Sequence, residues 1–462
     1  MQQIQKIGFF MLAMLIAGAI DNVRNLPTVA LFGPKLPFFF LFAALFFFIP
    51  VAFVSAELAS TYTEKGQEGI YGWVSRAFGP KIGLLAIWFQ WINTVFWFPT
   101  TLSYLAATLA FLINPKLAEH QGYLISAMLV IVWVMTFINL KGLKVSAEIA
   151  SFCTLIGVAI PMGLIIVLAI IWLIMGNPIQ FQFDAHNMLP FTDGHQSFLS
   201  LTAIITSFLG LELATVHVRN VKNAQKTVPR SLFFAMIFVL FTMSFGALSI
   251  AIVVPKHNLN LVAGVFQSFQ SFLDHYHLSY ALPILVLMIL IGSLGTMINW
   301  IISPARGLLQ AADNGFLPQF FQKTNKQMVP NRILITQALL VSIISLAYLL
   351  MPSVNGSYWL LTDLSTQIYV LMYVMMFITA IRLRYKDKNI QRPFSIPLGN
   401  FGMWMISMMG LIGTSIALIV GFIPPTNINV GGAFHFEVIF ITGLICATLP
   451  VILLYLYRGR CR

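Results

Sequence analysis

Apolar residues run along this chain in twelve long blocks, roughly 8–31, 37–61, 82–112, 123–140, 149–175, 197–218, 231–254, 279–311, 332–351, 358–382, 403–423 and 434–456. Short stretches between them collect nearly all the charge. Each block is long enough for a helix across about 30 Å of hydrocarbon. None alternates as a barrel strand does, and in lipid only helices and closed barrels satisfy their own backbone polar groups. The pattern therefore predicts an all-α membrane protein with 12 transmembrane helices. Met1–Ile7 lead straight into the first block with no small-residue cleavage site, so no cleavable signal peptide is expected.

Composition sharpens this. The 462 residues are 59% hydrophobic and only 9% charged, where a soluble domain carries about 25% charged residues. That excludes a soluble enzyme, and disorder needs the opposite composition. The net charge of +12 would on its own suggest nucleic acid, but the placement of the cations explains it otherwise. With the N-terminus in the cytoplasm, twenty-two of the 26 Lys and Arg fall on the inner side, from Lys6, Lys65 and Lys144 through Arg219 to Arg458, Arg460 and Arg462. Lys35, Lys116 and Lys256 are outside, and Arg24 lies within a block. Such a bias orients membrane proteins. The expectation is a multi-pass protein with both termini cytoplasmic, the lipid bilayer as its surroundings and no nucleic-acid partner; loops mostly under twenty residues, with no soluble domain, suggest a bacterial inner membrane.

Cys153, Cys446 and Cys461 form neither a disulfide framework nor a metal motif, so no metal or cofactor is expected. No zinc-helix or nucleophile-turn motif of an intramembrane enzyme is present. Seven histidines (His120, His186, His195, His257, His275, His277 and His435) fall in or beside outer loops. They suggest an outer face that responds to acidity, against the plainer reading of solvated loop residues.

Two blocks are interrupted. The first contains Gly18-Ala19-Ile20-Asp21-Asn22-Val23-Arg24-Asn25-Leu26-Pro27. Charges at mid-helix cost about 2.5–3.5 kcal/mol each, and Pro27 restricts Leu26 and removes a donor. One reading is a helix that unwinds near 18–25 and restarts, its new N-terminus suited to a carboxylate. The other is a kink with Asp21 and Arg24 paired. The sixth block reads Thr206-Ser207-Phe208-Leu209-Gly210-Leu211-Glu212-Leu213, a glycine and an acid again together mid-span. The alternatives are a second break, or a packing glycine with an acid bonded to a neighbouring helix. Matched interruptions five spans apart point to a secondary transporter with its site near the midplane.

Several stretches resemble the amino acid–polyamine–organocation (APC) superfamily, and within it the bacterial glutamate/γ-aminobutyrate antiporter group. They are Phe48-Ile-Pro-Val-Ala with Ser55-Ala-Glu57-Leu-Ala, Gly69-Ile-Tyr-Gly-Trp-Val-Ser75 with Phe78-Gly-Pro80, and Ser207-Phe-Leu-Gly-Leu-Glu212. Further on come Leu248-Ser-Ile-Ala-Ile-Val-Val-Pro255, Trp300-Ile-Ile-Ser-Pro-Ala-Arg306-Gly and Arg392-Pro-Phe-Ser-Ile-Pro397. The resemblance implies a leucine-transporter-like 5+5 inverted repeat with spans 1 and 6 broken, plus two additional helices. Residues 1–180 would form the first repeat, 190–385 the second, and 400–462 spans 11 and 12 with a short tail.

By the same resemblance Ile20, Asp21, Asn22, Val23, Arg24 and Asn25 would line the first break, and Phe208, Leu209 and Gly210 the second. Span 3 would contribute from Gln90, Asn93, Thr94 or Trp97, span 8 Trp300, and span 10 Tyr369 and Tyr373. Glu212 would couple a proton or gate the site, and Glu57 would serve as a structural or gating acid. Relatives carry a small-residue Gly-Ser-Gly-type break where this chain has Asp21-Asn-Val-Arg24-Asn. Arg24 could therefore grip a substrate carboxylate or only neutralise Asp21. The chain ends just past span 12, so no plugging tail is carried over. The implied function is amino-acid antiport by alternating access, with a proton-coupled symporter as the alternative.

Overall fold

Pro27 and the polar run before it divide the first apolar block into two helices, α1 (Phe9–Ile20) and α2 (Leu26–Ala30). The remaining blocks follow as α3 (Gly33–Tyr62), α5 (Pro80–Ile113), α6 (Gln121–Leu140), α7 (Ser151–Ile174), α8 (Leu199–Thr206), α9 (Ala224–Val253), α11 (Leu282–Asp313), α12 (Asn331–Ser345), α13 (Val354–Lys386), α14 (Gly399–Val420) and α15 (Ala433–Gly459). The computed structural model describes residues 8–62, 69–141, 147–181, 184, 188–189, 197–213, 221–327 and 329–459. Met1–Ile7, Lys6, Lys65, Lys144, His186, His195, Arg219, Arg460, Cys461 and Arg462 lie outside the described residues. Among those described, the elements are all helical, and eleven helical spans are long and apolar enough to cross a membrane. The sixth block contributes only the shorter apolar stretch Leu199–Leu213.

Two helices were not announced by the apolar blocks, α4 (Gly69–Phe78) and α10 (Gly264–His275). Both are too short to span, and each buries one stripe. In α10 it is Val265, Phe266, Phe269, Phe272 and Leu273, the spacing of an amphipathic helix lying on a surface.

Burial sorts the helices by position. α5 is buried along most of its length and packs against α11 and α13, so it forms the axis of the bundle. α15 is peripheral, with Phe434, Val438, Ile441, Ile445, Leu449 and Ile452 exposed along one face. In water such a stripe would mark a partner surface; on a spanning helix it faces lipid. α7 and α11 meet backbone to backbone at Gly157 and Gly292, where a Cβ on either would run into the other's main chain. Small residues permit such approaches in membranes.

One end of the bundle is closed by charge. Glu57, near the end of α3, accepts two bonds from Arg384 of α13 (2.7 and 2.6 Å) and one from the Ile396 N–H (2.8 Å). Arg392 approaches the same carboxylate at 3.3 Å. Beside it, Arg76 of α4 grips Asp387 with two bonds (2.6 and 2.9 Å), and the Tyr62 hydroxyl donates to Asp387 (3.0 Å). The bonds from Arg76 hold the Asp387 carboxyl below the usual carboxylate range, although its partial burial pushes the other way.

A carboxyl depressed in the folded state stabilises fully above its unfolded value, near 3.9. It loses that contribution as pH falls through the folded value. Arg76 is 28% exposed, so the gain is modest. Melting temperatures of the wild type and Asp387→Asn in detergent should differ slightly at neutral pH, begin to converge as pH drops below about 4, and meet only below the depressed folded value.

Candidate functional site

The site begins with backbone. α1 stops at Ile20; Asp21 and Asn22 are extended. Gly18, Ala19 and Ile20 are still helical, so the interruption is narrower than the expected 18–25. The Asn22 side chain accepts from the Arg24 N–H (3.1 Å) and starts a single 3-10 turn over Val23–Asn25. Pro27 then sits in the first turn of α2, where its fixed φ fits and its missing N–H costs nothing.

The second interruption follows α8. The chain turns through Ser207–Gly210, and Gly210 takes φ +105°, a conformation that L side chains avoid. A Cβ there would also stand 3.1 Å from the Trp300 ring. The sixth block thus has a break, not only a packing glycine.

A small cavity of about 20 Å³ lies between the two breaks. Its lining comes from five parts of the chain. Ala19, Ile20, Asn22, Arg24 and Asn25 belong to the first break, Asn93 and Trp97 to α5, Thr206 and Leu209 to the second break, Trp300 to α11 and Tyr369 to α13. Trp97 and Trp300 lie 4.8 Å apart, tilted by 31°. Arg24 is the only charged side chain among the described lining residues.

Arg24 is fully buried, yet no carboxylate lies within ion-pair distance of it among the described residues. It donates from Nη1 to the Thr100 hydroxyl. Its guanidinium carbon sits 4.9 Å over the Trp97 ring, and the Tyr358 hydroxyl reaches its carbonyl at 3.4 Å. Its Nε has no hydrogen-bond partner. A buried guanidinium is costly unless paired, so this arrangement favours an anionic ligand at the cavity.

Glu212 is placed differently. Its Oε1 accepts from Tyr369 (2.5 Å) and from Gln90 (3.0 Å), and its Oε2 from Tyr373 (2.5 Å). Tyr373 in turn accepts from the Gly210 N–H (2.9 Å). One carboxylate therefore fastens the second break to α5 and α13, directly behind the cavity wall. Tyr369 and Tyr373, one helical turn apart, share this acceptor.

The structure thus brings Ile20, Asn22, Arg24, Asn25, Asn93, Trp97, Leu209, Trp300 and Tyr369 to one cavity, with Gln90, Gly210, Glu212 and Tyr373 bonded together behind it. Val23 and Thr94 are buried outside the lining, Thr94 donating to the Trp91 carbonyl (2.6 Å). Phe208 is not at the cavity. Its ring stacks on Phe48 at 4.3 Å and 5°, because an aromatic at the turn fills the apolar seam with α3. Asp21 does not line the cavity either, and it does not pair with Arg24. Its Oδ2 accepts from Thr242 of α9 (2.7 Å), since the extended backbone at Asp21 and Asn22 sends neighbouring side chains to opposite sides. Glu57 is remote, in the ion cluster described above.

Ala19, Thr206, Thr100 and Tyr358 were not foreseen. A buried arginine needs acceptors, and Thr100, on the helix that carries Trp97, supplies one. Of the outer histidines, His120 caps α6 by accepting from the Tyr123 N–H (3.3 Å) and shares an open groove with His257.

The amino acid permease family model matches residues 7–445. The chain is 40% identical to an uncharacterized transporter of Legionella pneumophila, over 95% of this chain and 94% of that one. It is 30% identical to a glutamate/γ-aminobutyrate antiporter of Lactococcus lactis, over 99% of this chain and 92% of the relative. A probable agmatine/putrescine antiporter of the same organism is 26% identical over 91% and 88%.

Proposed function

The chain belongs to the amino acid permease family of the APC superfamily, a multi-pass membrane transporter and not an enzyme, and from that premise we propose that it exchanges amino acids of the glutamate/γ-aminobutyrate type by alternating access. The observation that carries this reading is the cavity between two interrupted helices with Arg24 as its one charged lining group. A guanidinium offers a planar pair of donors to a carboxylate. Glutamate brings two carboxylates and γ-aminobutyrate one, and both appear in the name of the Lactococcus relative. The agmatine/putrescine relative suggests diamines instead, but a diamine would place ammonium groups against Arg24, with no acid among the described lining residues.

In this scheme Arg24, Asn22 and Asn25 orient the carboxylate. The substrate ammonium meets carbonyls of the second break. Trp97, Trp300 and Tyr369 cover the bound molecule and exclude water. The apolar stretch Leu199–Leu213, α8 with the turn after it, belongs to a broken sixth span, which completes twelve. Spans 1–5 and 6–10 are inverted repeats (1–180 and 190–385) that rock about the cavity, with spans 11 and 12 appended. Both termini lie in the cytoplasm of a bacterium, at its inner membrane.

Counterflow in proteoliposomes tests the reading. Labelled glutamate outside should enter faster when the vesicles hold γ-aminobutyrate or glutamate than when they hold putrescine or buffer. Uptake that needs no internal amino acid, and follows only an imposed proton gradient, would replace exchange with symport.

A further inference from the structure

Two carboxyls sit at the helix breaks, and their surroundings differ. Glu212 accepts from three donors, Gln90, Tyr369 and Tyr373. An ionised carboxylate so supplied is satisfied in place. Asp21 is 1% exposed and has one neighbour for one oxygen, Thr242 at 2.7 Å, while its Oδ1 has no partner among the described residues. Among the described residues no cation is in ion-pair range of it. Arg24, three residues on, turns to Thr100 and Trp97. α1 packs on α7, α9 and α11. Their titratable groups with described side chains are Cys153, Lys226 and Arg230, Arg306 and Asp313, and none of them contacts Asp21.

The Thr242 hydroxyl explains what such a site can do. Its single proton has three acceptors in reach: Asp21 Oδ2, the Phe238 carbonyl at 2.9 Å and the Val239 carbonyl at 3.2 Å. A helical threonine readily donates to the carbonyl four residues back. When Thr242 does so, its oxygen is free to accept an O–H from Asp21. When Asp21 is ionised, Thr242 rotates its proton to the carboxylate and releases the carbonyl. Both protonation states fit the same heavy-atom positions, which a carboxylate held by three donors does not allow.

We propose that Asp21, with Thr242 as its switching partner, is the proton-binding site of this transporter, separate from the substrate cavity and from Glu212. The proton comes from water on whichever side the site faces; it forms one O–H bond on Asp21 and leaves to water on the other side. Ile20 and Asn22, the neighbours of Asp21 in the chain, both line the cavity. A change in what Asp21 bonds is therefore one peptide unit from the substrate on either side, and coupling between proton and substrate runs in both directions. Asp363 of α13 also has a bare oxygen, but its other oxygen accepts from Gln367 (3.2 Å) and neither of its chain neighbours lines the cavity.

This inference rests on the transport reading, and the experiment separates the two. Glutamate counterflow by the full-length protein in liposomes is measured over a pH series. The wild-type rate should change with pH, by up to about tenfold per unit for a single proton. Asp21→Asn should be flat to within about twofold, Asp363→Asn should keep the wild-type slope, and Thr242→Val should keep the slope with the profile moved to higher pH, because the ionised form loses its donor. A wild-type slope retained in Asp21→Asn, or abolished by Glu212→Gln instead, overturns the proposal. So does a rate set by sodium rather than by pH. If Asp21→Asn fails to fold, an unmoved profile in Thr242→Val overturns it. Absence of counterflow at every pH overturns the transport reading itself.

Discussion

Arg24→Ala should weaken glutamate binding by about a hundredfold or more while leaving the protein as stable as before, or more so. Removing one partner of a buried charge pair costs about 3–5 kcal/mol, and each ~1.4 kcal/mol is tenfold in affinity. γ-Aminobutyrate should lose a similar factor, since it too presents a carboxylate. The stability expectation has a separate cause. Among the described residues the guanidinium meets a hydroxyl and an aromatic face, and its Nε has no hydrogen-bond partner. Its burial opposes folding, and alanine removes that cost, as often happens at functional sites. Arg24→Lys should recover only part of the affinity, because an ammonium cannot hold Thr100 and a carboxylate in one plane. The measurements are substrate binding by titration and melting temperature in detergent. A variant that binds glutamate normally would sink the placement of the carboxylate.

Glu57→Gln should behave in the opposite way, with stability falling sharply. Glu57 is the one acid between two arginines, and Arg384 is 8% exposed. Neutralising it leaves Arg384 buried without its counter-ion, a loss of about 3–5 kcal/mol. The amide also keeps one acceptor oxygen where the carboxylate had two, so the Arg384 and Ile396 donors can no longer all be satisfied. The melting temperature should drop well below that of Asp387→Asn, whose partner Arg76 is partly solvated. The double variant Glu57→Gln with Arg384→Met should regain part of the loss, because the stranded charge is gone. A melting temperature equal to the wild type would show that the cluster contributes nothing to holding α3 against α13.

The spans were legible in the sequence because lipid leaves so few choices. A block of some twenty apolar residues has to be a helix, and for eleven of the twelve blocks the observed ends fall within a few residues of the apolar edges, with α9 the widest departure among them at its start; the sixth block differs, its helix α8 ending at Thr206. The breaks were legible for the same reason: charge, amide, glycine and proline have no cheap place inside such a block. α4 and α10 were not, since an amphipathic helix on a surface carries no long apolar run. Within the breaks, residue type pointed to the region but not to the direction of each side chain. Asp21 and Asn22 are equally polar and adjacent, yet Asn22 lines the cavity and Asp21 meets Thr242. Phe208 and Leu209 are equally apolar, yet only Leu209 lines it.

The amino-acid sequence by itself determined that the described elements are helical, which eleven stretches are long and apolar enough to cross a membrane, and which two blocks are interrupted, because hydrophobic length and backbone satisfaction are local properties. Which acid faces which partner was decided only in the folded bundle. Glu212 meets Gln90, Tyr369 and Tyr373 from helices more than a hundred residues away in the chain, and Arg24 meets Thr100 rather than Asp21. Hydrogen-bond partners at that separation depend on how helices rotate and pack against one another, and apolar helices of similar composition carry no local signal of that rotation.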